Sequence, residues 1–71
     1  MTDFEKLKQL IRERGVTITY IAEKAGISRE TFYNRCNGVG EFTVSEITGI
    51  TDALRLTNKE RDSIFFAKNV N

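Results

Sequence analysis

Between Ser28 and Asn37 the chain carries residues whose side chains can read the edges of base pairs. The planar fork of Arg29 fits O6 and N7 of guanine, the amide of Asn34 fits N6 and N7 of adenine, Glu30 can accept from N4 of cytosine, and the Ser28 hydroxyl suits several partners. On a helix that starts at Arg29 and turns Phe32 inward, Arg29, Glu30, Tyr33, Asn34 and Asn37 face outward. Residues near a helix start are the ones that reach base edges when a helix lies in a major groove. Taken singly, Arg29 and Glu30 also fit a plain solvated helix start, where the dipole favours a glutamate. Their setting in the chain has to decide.

Other chemistries find little support. The chain has no histidine, so the commonest general base at neutral pH is missing, and no Ser or Cys has an activating partner near it in sequence. A lone cysteine, Cys36, has no second Cys or His with which to hold a metal or close a disulfide, and it reads as a small side chain near a helix end. A non-enzyme without metal, cofactor or small-molecule ligand is expected. With 71 residues, 39% of them apolar and 30% charged, the chain suits one small globular domain, residues 1–71. Its apolar runs are too short for a spanning helix or a signal peptide, which points to the cytoplasm.

The elements that would position these side chains are marked by turn and capping signals. Ala22 permits close helix packing, Gly26 four positions on permits a tight turn of positive φ, Ile27 pins that turn to the core, and Ser28 can cap the next helix. That is the pattern of two short helices joined at a sharp angle, the second of them presented to a groove. Thr-x-x-Glu occurs at Thr2/Glu5, Thr43/Glu46 and Thr57/Glu60, and each pair predicts a capping box. Phe42 and Ile47 flank the middle one as a hydrophobic staple. Thr17 and Ser28 mark two further starts, each after a glycine and an apolar residue. Apolar residues recur at helical spacing within the segments, so five helices are predicted, at 3–14, 18–25, 29–37, 44–54 and 58–68. The loop Val39, Gly40, Glu41, Phe42 is the expected mobile element.

Five short helices with the second and third as a pair, and the string SRETFYNRCNG followed by a Phe-Thr capped helix, resemble the Cro/repressor type of helix-turn-helix, the XRE family. The likeness runs from Phe4 to about Ala67 and is strongest to small regulators of temperate phages of Gram-positive bacteria. It implies an all-α, compact five-helix domain of the lambda-repressor-like fold that binds double-stranded DNA. One position departs: where many members carry an aliphatic residue three positions after Phe32, this chain has Arg35.

The resemblance places Ser28, Arg29, Glu30 and Asn34 at the bases. Thr17 and Thr19, at a helix start, are candidate phosphate contacts, with Thr17 equally a plain cap. Arg35, Asn37 and the backbone at Gly38 would lie near the groove wall, and Tyr33 either packs against a sugar or thymine methyl or covers the core edge. Charge argues for weak binding by a monomer. Residues 1–38 hold seven basic and five acidic residues, a net of +2, and residues 39–71 hold four and five, a net of −1.

Ile64, Phe65 and Phe66 are consecutive and span about 200° of a helix, so at least one should be exposed and is a candidate contact for a homodimer or another partner. Gly49, inside the fourth helix, is either a surface glycine or a close-approach point for a partner. A second reading is therefore open, in which the same helix face binds a partner repressor protein as a small phage modulator does. An antitoxin role rests on family analogy alone.

Overall fold

A computed structural model describes residues 2–66 and contains α1 (Phe4–Arg14), α2 (Ile18–Ala25), α3 (Arg29–Cys36), α4 (Val44–Leu54) and α5 (Asn58–Phe65). The fold is all-α: no strand occurs among the described residues. Predicted and observed helix starts agree to within one residue, and four of the five caps that mark them are formed. The predicted extension of the last helix over 67 and 68 lies outside the described residues.

Four of the five caps are the expected ones. Thr17 and Ser28 accept from the backbone of Tyr20 and Thr31, and both later boxes are reciprocal, with Glu46 and Glu60 reaching back to the N–H of Thr43 and Thr57 at 3.0 Å. The first box is a correction. Asp3, not Thr2, caps α1 by accepting from the N–H of Lys6, and Glu5 pairs with Lys8 at 3.1 Å. The N–H of Asp3 donates to the carbonyl of Ile64 at 2.7 Å, which ties the chain to α5 and fixes Asp3 at the cap position. Asp3→Ala should therefore cost about 1 kcal/mol of stability in a urea melt and Thr2→Ala almost nothing. Equal costs would restore Thr2 as the cap.

The core gathers Leu7, Leu10, Ile21, Phe32, Ile50, Leu54 and Ile64, drawn from every helix. Its broadest contact lies between α2 and α4. Gly49 makes that contact possible: it is buried, and a Cβ built there would overlap the Lys24 carbonyl oxygen and come within 2.8 Å of Ala25 Cα. Gly49 is thus a close-approach point inside the domain, neither a surface glycine nor a partner contact.

On the far side, Arg14 of α1 grips Glu60 of α5 with two contacts of 3.2 Å. The Thr57 backbone N–H, and then the Arg14 guanidinium, hold the Glu60 carboxyl below its ordinary 4.5. A carboxyl with a lowered folded value stabilises the fold above its ordinary value, and that contribution is lost as pH falls through the lowered one. Glu60→Gln should flatten the loss of stability below about pH 4.5, measured by denaturant melts at stepped pH. An unchanged acid limb would remove Glu60 from this role.

Candidate nucleic-acid interface

The turn into α3 is built as its residues dictate. Gly26 sits at φ 77°, and the N–H of Ile27 donates to the Ala22 carbonyl at 3.0 Å, closing α2. Ala22 is buried at the junction and Ile27 is packed against the core. Ser28 then caps α3, its oxygen accepting from Thr31 N–H while its hydroxyl donates to Thr31 Oγ1, both at 3.0 Å.

One face of α3 is sunk in the domain. Phe32 is fully buried and Cys36 nearly so. Phe32 packs against Tyr33 and Phe42, with ring centroids 5.7 and 5.8 Å apart, and Phe42 in turn meets Phe65 at 5.4 Å. This aromatic chain fixes α3 against the loop and α5. Burial pushes the Cys36 thiol up to about 12, so it stays protonated and unreactive.

The opposite face is open. Arg29, Glu30 and Asn34 are exposed, and among the described residues none of their side chains makes a hydrogen bond or ion pair. They are free to meet a ligand. The Ser28 hydroxyl is committed to its cap. Tyr33 touches Phe4 and Phe32 by ring edges and remains 36% exposed, so it covers the core edge while its outer side is accessible. Thr17 acts as a cap of α2, and Thr19 beside it is exposed.

Of the residues placed at the groove wall by sequence, Arg35 turns inward instead, while Asn37 and Gly38 stay exposed. Arg35 donates from Nε to the Glu41 carbonyl at 3.0 Å, and a terminal nitrogen lies 3.5 Å from a carboxylate oxygen of Glu46. Only 22% and 12% of these two side chains are exposed. The N–H of Gly38 already donates to the Arg35 carbonyl at 3.2 Å. Asn37 ends α3, its side-chain amide donating to the Tyr33 carbonyl at 2.9 Å. Arg29 is left as the one cation of α3 without an internal partner among the described residues.

Of the three consecutive apolar residues at the carboxyl end of α5, Ile64 and Phe65 belong to the core and cannot meet a partner. Phe66 is 51% exposed.

With this geometry in place, the comparison with protein families is direct. A model of the Cro/C1-type helix-turn-helix DNA-binding domain matches residues 6–60. The chain belongs to that family. The match runs from the first turn of α1 to the first turn of α5 and includes the α2–turn–α3 unit and the α4 that braces it. No curated protein and no solved structure matches the chain. As a Cro/C1-type domain it is a DNA-binding protein, and no helix among the described residues is long and apolar enough to cross a membrane. The inward turn of Arg35 and the role of Gly49 were the features that sequence reasoning missed. A signal existed for the first, since a residue three positions after a core phenylalanine on a helix lies beside the core and a cation there needs a partner.

Proposed function

We propose that this chain is a sequence-specific transcription regulator, encoded by a phage or prophage, that reads an operator with α3 and blocks or redirects polymerase. The observation that carries this reading is the outward face of α3. Arg29, Glu30 and Asn34 stand exposed at and just beyond the helix start, without internal partners among the described residues, on a helix whose reverse side is locked by Phe32. Arg29 pairs with guanine, Asn34 with adenine, and Glu30 with the amino group of cytosine. Ser28 contributes by aiming the helix start, and Thr17 and Thr19 offer the α2 start to a phosphate. Tyr33 and Asn37 border the contact.

With a net charge of only +1 a single copy holds DNA weakly, and a homodimer joined through the exposed Phe66 would set two reading helices about 34 Å apart on one side of the duplex. The protein acts in the cytoplasm and uses no cofactor.

One set of observations favours a second reading, a modulator that binds a partner repressor through the same surface. Val39 and Val44 are 64% and 79% exposed, Glu41 is exposed, and Arg35 is withdrawn into the domain. A surface of this kind suits a protein partner as well. Salt separates the two. Binding to a mixed-sequence duplex, followed by fluorescence anisotropy, should fall with log–log slope of about −0.9 for every phosphate neutralised. Absent or salt-insensitive DNA binding favours the modulator.

A further inference from the structure

We propose that Arg35 is a positioning residue for DNA binding: it never touches the duplex, but it fixes the loop that follows α3 and thereby the set of α3 against α4. The inference rests on the DNA-binding reading above and extends it to a residue on the inner side of the helix.

Three observations converge on Arg35. Its Nε binds the Glu41 carbonyl, which anchors the far end of the loop to the last turn of α3. Its guanidinium faces Glu46, the one buried charged residue among those described, and Glu46 is the box residue that holds the Thr43 N–H at the start of α4. Its stem lies across Gly40, where a Cβ would sit 3.5 Å from the Arg35 Cδ and Nε. One side chain therefore bridges the end of α3, the loop and the cap of α4.

The need for such a bridge follows from the loop itself. Gly38 and Gly40 both hold positive φ, at 89° and 80°, and glycine-rich segments lose much conformational entropy when ordered. Besides the Arg35 contact, the Val39 N–H binds the Asn34 carbonyl at 2.8 Å, so the loop is pinned at its start, and Arg35 pins its end. The loop expected to be mobile is thereby tied at both ends. Ordering it before DNA arrives removes that cost from binding.

The test compares the wild type with Arg35→Met/Glu46→Gln, in which a glutamine keeps the reach of the capping box and no buried charge is left unpaired. Both proteins are titrated with the duplex selected by the wild type from a random pool, over a range of salt, beside a thermal melt. The expected result is roughly 10-fold weaker binding with an unchanged salt slope and a thermal midpoint close to wild type. A salt slope shallower by about 0.9 would mean that Arg35 contacts a phosphate and would overturn the proposal, as would unchanged affinity.

Should the double variant fold poorly, Arg35→Lys serves in its place. It keeps the charge beside Glu46 but cannot bridge both Glu46 and the Glu41 carbonyl as the guanidinium does. Its affinity should fall several-fold with the slope again unchanged, and full wild-type affinity would overturn the proposal. A wild type that selects no duplex refutes the DNA reading itself, and this role with it; variants that keep wild-type affinity for a duplex the wild type selects refute only the role of Arg35.

Discussion

Replacing Gly49 with alanine is expected to lower the thermal midpoint by about 10–20 °C, although alanine is the better helix former. The new methyl group would enter the space held by the Lys24 carbonyl and the Ala25 Cα, which are backbone atoms and cannot rotate aside. Helix propensity offers about 1 kcal/mol in favour of alanine, and separating α2 from α4 costs more than that, for a net loss of about 2–3 kcal/mol. A domain of 71 residues has about 4–10 kcal/mol in total, so the loss is a large share of it. DNA binding should weaken too, because α2 carries the turn that aims α3. Val44→Ala, at a position of α4 that is 79% exposed, should leave the midpoint within a few degrees. If Gly49→Ala melted at or above the wild-type temperature, the close packing of α2 on α4 would be refuted.

The second large effect concerns reading. Arg29→Ala should weaken binding to the selected operator by about 1–3 kcal/mol, roughly 5- to 150-fold, and relax preference at one guanine. Folding should be untouched, since Arg29 is exposed and its side chain makes no hydrogen bond or ion pair among the described residues. The contrast with Arg35 is informative. Arg29 acts through a base and its loss changes which sequence is preferred, whereas loss of Arg35 should weaken binding to every sequence alike. Affinity and preference both unchanged in Arg29→Ala would remove it from the interface.

The fold was legible because its signals are local. A cap, a box or a positive-φ glycine involves residues three or four apart, so Thr17, Gly26, Ser28, Thr43 and Thr57 could be read without knowing what lies across the domain. What sequence did not disclose depends on neighbours distant in the chain. Asp3 displaces Thr2 as a cap because its own N–H meets Ile64. Gly49 read equally as a surface glycine or a partner contact, and only the Lys24 backbone across the domain shows it to be a point of close helix packing. Spacing showed that Ile64, Phe65 and Phe66 could not all be buried, but only the packing assigned exposure to Phe66.

Arg35 falls between these cases. Its distance from Phe32 implied an inward lean, while the identity of its partner, Glu46, required the loop to fold back on α3. A cationic side chain in a helix-turn-helix invites a phosphate reading, and here burial outweighs that inference. The same burial removes one cation of α3 from those free for DNA and leaves Arg29 as the outward cation of that helix.

The most direct test of the central claim is selection from a random duplex pool at low salt, sequenced after several rounds with the wild type and with Arg29→Ala in parallel. If α3 reads an operator, the wild type enriches a defined sequence and the Arg29→Ala pool loses a guanine from it. No enrichment above the input pool would contradict the claim and assign the exposed face of α3 to a protein partner.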